Sequence, residues 1–140
     1  MYSNDAILRP RYAETDAMGV VYHSNYIIYF EVGRNEFFKS LGYPYRKMEE
    51  EGILFPVLTV EAKYTKPAKY DDELKIRTSI EELKGARVAL KYEIIREDDG
   101  VEVILVTGKT VHGFVNKELK PIKMKRINPT LWSKLEEAVL

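Results

Sequence analysis

Cysteine is absent from this 140-residue chain, which excludes disulfides, thiolate nucleophiles and cysteine-ligated metal sites. Histidine is scarce, with two residues, so a histidine-based metal site has little to work with and no metal is expected. An excess of either charge is missing as well. The 22 Lys and Arg equal the 22 Asp and Glu, and no net field favours nucleic acid or an anionic membrane. No apolar run approaches the ~20 residues that span a bilayer, and Met1-Tyr2-Ser3-Asn4-Asp5 lacks the basic-then-apolar pattern of a leader. These absences predict a soluble, cytoplasmic protein. The length predicts one domain over residues 1–140 with a sizeable core, and no repeat, low-complexity tract or linker interrupts it.

What is present is concentrated between Tyr12 and Gly42. Asp16, Gly19 and Ser24 fall within a few residues, with Val20-Val21 separating the glycine from Tyr22-His23-Ser24-Asn25. Tyr26, Phe30, Gly33, Phe37 and Leu41 then recur at steps of four, three, four and four, one face of a 3.6-residue period. Ile27, Ile28 and Val32 widen the apolar band, while Glu31, Arg34, Asn35 and Lys39 take the other side. A band that broad predicts a helix gripped by a curved surface. Gly33 in the buried row costs about 1 kcal/mol against alanine, which predicts close approach of another backbone. Ser24, or failing it Asn25, is the expected N-cap; Gly42 and Pro44 end the helix.

A first strand is expected over residues 5 to 13, at an edge or bulge because of Pro10. A short helix follows from Tyr45 to Gly52. The period then changes to two. Leu58, Val60, Ala62 and Tyr64 read as the inner row of a half-buried strand, as do Leu74, Ile76, Thr78 and Ile80, and then Val88, Leu90, Tyr92 and Ile94. Asp99-Gly100 is a hairpin signal into a strand from Val101 to Val115, with bends expected at Gly108 and Gly113. A last helix spans Pro129 to Val139, capped by Asn128. Strand, long helix, then antiparallel strands is an α+β plan in which the sheet wraps the helix. Such a sheet has an edge to cover, and continuation across a two-fold axis predicts a homodimer.

Three groups in the first loop carry chemistry. Asp16 can act as a nucleophile or general base, or can simply close a turn. The first helical N–H groups after Val21 are donors at the positive end of the helix. His23 can add a side-chain hydrogen bond or orient the loop. Tyr22 and Asn25 shape the loop and pocket, and Glu14, though close by, points elsewhere. Tyr26, Tyr29 and Phe30 line a pocket or belong to the core. His112, on a strand, reads as a structural histidine.

The element order, with Asp16-Ala-Met-Gly19-Val-Val-Tyr22-His23-Ser24-Asn25-Tyr26, resembles the hotdog-fold acyl-CoA thioesterases of the 4-hydroxybenzoyl-CoA thioesterase family. The nearer branch it resembles is the one associated with the Tol-Pal cluster. Phe30-Glu31 followed by Arg34 and Glu36 fits the same pattern, and the similarity runs to about Lys120. The resemblance implies hydrolysis of an acyl-CoA thioester at a site shared by two subunits of a homodimer or homotetramer. Coenzyme A enters as part of the substrate, with no metal and no redox cofactor. It implies Asp16 as nucleophile or base and the backbone N–H of His23 as oxyanion donor. It also implies Phe55, Val57 and Thr59 along the acyl or pantetheine channel, and Lys84, Arg87 and Lys120 near the phosphates. Those three cations read otherwise as solvated charges at turns. Two other activities suit the same fold: a hydratase or dehydratase acting on the acyl chain, and a non-catalytic acyl-CoA or acyl-carrier binding module.

Overall fold

Period-two alternation and hairpin chemistry produce one antiparallel sheet, and the 3.6-residue band produces the helix that it holds. In the computed structural model, which describes residues 1–139, the elements follow in a simple order. They are β1 (Ser3–Leu8), a single 3-10 turn (Tyr12–Glu14), α1 (Ser24–Ser40), α2 (Tyr45–Glu50), β2 (Val57–Tyr64), β3 (Leu74–Lys84), β4 (Arg87–Asp98), β5 (Val101–Gly113), α3 (Met124–Ile127) and α4 (Pro129–Val139). The strands lie in the order β1-β3-β4-β5-β2, so β1 and β2 are the edges. Registers shift at Val57/Thr59, Ile80/Glu82 and Ile94/Ile95, and bulges of this kind bend strands and increase twist.

The core is the inner row of α1 pressed on the inner rows of the sheet. Leu74, Ile76, Thr78 and Ile80 are buried, and so are Val88, Leu90, Tyr92 and Ile94, as the alternation predicted. On α1 the buried residues are Tyr26, Tyr29, Phe30, Gly33, Phe37 and Phe38. Ile28 and Val32, expected in the band, are instead 52% and 36% exposed; their angular positions face away from the sheet, and Phe38 and Tyr29 take the places nearer it. Asn128 caps α4 as expected, its Oδ1 accepting the Leu131 N–H at 3.0 Å, and Leu131, Leu135 and Ala138 join the same core.

Two glycines are where the packing is tightest. A Cβ on Gly33 would sit 2.5 Å from Ile76 Cγ2 and 2.7 Å from Thr78 Oγ1, so side chains of β3, and not another backbone, occupy the space. Gly108 is no bend. A Cβ there would lie 2.2 Å from Phe30 Cζ, and that ring is stacked on Tyr92 at 4.6 Å between centroids. Gly108→Ala is therefore expected to destabilise the fold by about 1–3 kcal/mol, a melting point lower by roughly 5–10 °C. Thermal unfolding checks this, and Phe30→Leu in the same chain should recover part of the loss.

Three expectations need correction. The first strand stops at Leu8, because Pro10 donates no hydrogen bond and the next residues close on themselves, Glu14 N–H bonding to Arg11 C=O at 2.9 Å. The last strand ends at Gly113, not Val115, and the single turn of α3 had no signal of its own. Most consequential is β2, which is not half-buried. Leu58, Val60 and Tyr64 are 49%, 44% and 46% exposed, since α1 lies over β1, β3 and β4 and leaves the β2 edge uncovered.

Candidate active site

The loop before α1 is a small hairpin. Thr15 bridges Val21, and Val20 bridges Lys69. Asp16 N–H donates to Val20 C=O at 2.8 Å, Tyr22 N–H to Glu14 C=O at 2.8 Å, and Val21 N–H to Ala68 C=O at 2.9 Å. Asp16 opens the turn at the tip of this hairpin, its C=O accepting the Gly19 N–H at 3.0 Å. Its Oδ1 accepts the Met18 N–H at 2.8 Å and, more weakly, the Val20 N–H at 3.4 Å. The carboxylate thus closes a turn, as its residue type favours. Its Oδ2 accepts no hydrogen bond among the described residues. One oxygen fixes the group and the other is unbonded.

Neither Ser24 nor Asn25 caps α1. His23 holds the N-cap position and makes no side-chain cap bond, while Asn25 Nδ2 turns back to donate to Glu14 C=O at 2.9 Å. Asn25 is thus used elsewhere, and the Ser24 side chain makes no cap bond. The His23 and Ser24 amides have no hydrogen-bond partner among the described residues, and they stand at the positive end of a 17-residue helix. Free N–H groups in this setting are suited to a developing negative charge.

Asp16, Tyr22, His23 and Tyr26 line a cleft of about 420 Å³ together with Tyr64 and residues 65–67. Its walls are aromatic. Tyr22 and His23 lie 4.5 Å apart between centroids, Tyr26 and Tyr64 5.5 Å, and His23 and Tyr64 6.1 Å. The Tyr26 hydroxyl accepts the Ala68 N–H at 3.0 Å, and burial pushes its pKa above the usual phenol value despite that bond. Tyr64 escaped the sequence reading. Its place in an alternating row was visible, but nothing local says that the end of β2 returns to the loop.

The other predicted residues do not reach this cleft within one chain. Val57 and Thr59 lie toward the far end of β2 from Tyr64, which over seven residues is about 23 Å. Phe55 is half-buried and stacked on His112 at 4.1 Å. Lys84 and Arg87 line a different groove of about 560 Å³, on the sheet face turned from α1, with Val111 and Lys109. Lys120 ends the exposed turn closed by Asn116. The larger groove mixes Lys84, Arg87 and Lys109 with Glu82, and Lys109 is paired with Glu81 at 2.8 Å. The smaller cleft has both Asp16, with its unbonded oxygen, and His23, at the start of α1, in its lining.

His112 is a core residue. It is fully buried, with Nε2 at 2.7 Å from Thr110 Oγ1 and Nδ1 at 3.4 Å from Phe55 C=O, and Thr110 Oγ1 also meets the Tyr92 hydroxyl at 2.6 Å. Burial, with the Arg34 charge nearby, lowers its pKa to about 4, although the bond to Phe55 opposes the shift. The unfolded imidazole titrates at about 6.5, so stability from keeping His112 neutral is complete above that pH and is lost as pH falls toward 4. The expected loss is about 3 kcal/mol. Urea unfolding at pH 7 and pH 4.5 should show a steeper fall for the wild type than for His112→Asn.

The sequence profile of the thioesterase-like superfamily matches residues 10–135. The Bacillus subtilis protein YneP is 34% identical over 99% of each chain. The acyl-CoA thioesterase YbgC of Haemophilus influenzae is 37% identical, over 64% of this chain and 66% of its own. Among solved structures, a DHNA-CoA thioesterase from Staphylococcus aureus superposes with a TM-score of 0.91 at 33% identity, covering 98% of this chain and 91% of the other. The five-stranded antiparallel sheet with its long helix is the hotdog fold.

Proposed function

Because the chain belongs to the thioesterase-like superfamily, we propose that it hydrolyses acyl-CoA thioesters to the free acid and coenzyme A, with Asp16 at the reacting carbon. The observation that carries this reading is the unbonded Oδ2 of Asp16 in a cleft also lined by His23, where the unpartnered His23 and Ser24 amides open α1. The thioester carbonyl oxygen takes the place in front of those amides. Oδ2 either attacks the carbonyl carbon, giving an acyl–Asp16 anhydride that water then cleaves, or takes a proton from the water that attacks. Negative charge collects on the carbonyl oxygen and is held by the N–H donors, which cost no reorganisation as it forms. The tetrahedral species collapses with cleavage of the C–S bond. The thiolate needs little help to leave, since an unperturbed thiol titrates near pH 8.5, at about the cysteine value.

The working unit in this reading is a cytoplasmic homodimer. The edge of β2 is unpaired and its side chains are exposed, an arrangement that invites a further strand. Antiparallel pairing of β2 with the β2 of a second copy sets the Val57 end of one beside the Tyr64 end of the other. Phe55, Val57 and Thr59 of that copy then come toward the Asp16 cleft, which accounts for their distance from it in one chain, and Lys84, Arg87 and Lys120 are assigned to the phosphates farther along the substrate.

The test is thiol release. Purified protein mixed with aromatic, short aliphatic and long-chain acyl-CoAs should liberate free thiol from at least one, with the matching acid in equal amount. A hydratase would change the acyl chain and leave the thioester intact, and a binding module would release nothing.

A further inference from the structure

The proposed reaction needs two groups from separate segments at a fixed spacing. The Asp16 carboxylate sits on the first limb of the hairpin; the amide donors sit where the second limb enters α1. The limbs pair with each other through the Asp16 N–H to Val20 C=O and Tyr22 N–H to Glu14 C=O bonds, and the start of α1 has in turn to be held against them. Glu14 is the point at which they are tied. Its backbone C=O accepts the Tyr22 N–H at 2.8 Å and the Asn25 side-chain N–H at 2.9 Å. Its Oε1 accepts the Arg11 N–H at 2.8 Å and the Tyr29 hydroxyl at 2.9 Å. Its Oε2 meets the Arg11 guanidinium at 3.4 Å. The side chain is 13% exposed and does not line the cleft.

Tyr22 belongs to the second limb, and Asn25 and Tyr29 belong to α1. Three of the residues bonded to Glu14 therefore come from the segment that carries the donors. Burial would raise the Glu14 pKa, yet the Arg11 N–H and Tyr29 hydroxyl bonds, with the Arg11 charge, bring it below the usual carboxylate value. Burial and the Glu14 bond together raise Tyr29, which stays a protonated donor.

We propose that Glu14 is a positioning residue for thioester hydrolysis, fixing Asp16 against the His23 and Ser24 amides through the Tyr29 hydroxyl. The inference rests on the reading of Asp16 as nucleophile or base. It makes a specific demand on the side chain. Both ordering bonds end on Oε1, so a neutral carbonyl oxygen in that place serves as well as a carboxylate, and only the exposed contact with Arg11 is lost.

The experiment compares Glu14→Ala, Glu14→Gln and Tyr29→Phe with wild type and with Asp16→Asn, using the best acyl-CoA of the panel. Rates are normalised to folded protein by circular dichroism. Misplacement of reacting groups by a fraction of an ångström to 1 Å lowers kcat by about 10- to 100-fold, so Glu14→Ala should lose that much, with KM within about twofold. Glu14→Gln should keep kcat within about twofold of wild type. Tyr29→Phe should fall by about tenfold, and the Glu14→Ala, Tyr29→Phe double variant no further than Glu14→Ala alone. If Glu14→Gln is as slow as Glu14→Ala, the charge itself matters and the positioning role is wrong. If Glu14→Ala and Tyr29→Phe both keep the wild-type kcat while Asp16→Asn is inactive, positioning by Glu14 fails and the role of Asp16 stands. If Asp16→Asn retains its rate, both readings fail. Should Glu14→Ala not fold, Tyr29→Phe and Glu14→Gln still decide, because each preserves most of the buried surface.

Discussion

Asp16→Asn is expected to lower kcat for acyl-CoA hydrolysis by at least 10³-fold, or about 4 kcal/mol of barrier. The substitution is informative because of how the carboxylate is held. Oδ1 keeps the turn by accepting the Met18 and Val20 amides, and the amide oxygen of asparagine can accept the same bonds. The hairpin, the cleft and the unpartnered amides of His23 and Ser24 should therefore survive. What is lost is the anionic Oδ2, which alone can add to the carbonyl or deprotonate water. Binding of the intact thioester should stay within a few-fold of wild type by calorimetry, which separates loss of chemistry from loss of structure. A loss of less than about tenfold, about 1.4 kcal/mol, would mean that the carboxylate only closes the turn.

Val60→Asp should abolish activity by a different route. Val60 lies near the middle of β2 and is 44% exposed, although it faces the same way as buried Thr110, its partner in register. Paired across a two-fold axis, an aspartate there would place two like charges close together in the middle of a new sheet contact, which is unfavourable at cross-strand spacing. The expected result is a folded monomer by sedimentation, with kcat/KM reduced by at least about 100-fold. The reduction follows because channel groups would no longer come toward the Asp16 cleft, and water would enter where it was excluded. A monomer with wild-type kcat/KM would show that each chain holds a complete site. An active dimer would place the interface elsewhere.

The fold was largely legible in the residues because its signals are local. The alternating rows of β3 and β4, the Asp99-Gly100 hairpin and the Asn128 cap each depend on a few neighbouring residues, and each appears where the pattern puts it. The candidate site was legible only in its first half. Asp16, Tyr22, His23 and Tyr26 are close in sequence and line one cleft, and the resemblance had joined them to function. Tyr64 belongs to that cleft through the return of residues 64–69 beside the hairpin, a long-range contact with no local signature. The same limit explains β2. Alternation says which residues share a face, but not whether a helix covers that face; α1 meets β2 only at its Tyr64 end, through Tyr26, and the strand is exposed. The N-cap error has the opposite cause. Ser24, with Asn25 as fallback, was assigned a local task, but Ser24 makes no cap bond and the Asn25 side chain serves a residue 11 positions earlier.

The most direct test is a crystal structure of Asp16→Asn with its best acyl-CoA bound intact. The account predicts the thioester carbonyl oxygen within about 3.2 Å of the His23 or Ser24 amide nitrogen, and the carbonyl carbon at near-attack distance, roughly 3–3.5 Å, from the side chain at position 16 or from a water that it holds. A thioester lying along another groove, with its carbonyl remote from both the hairpin and the start of α1, would contradict it.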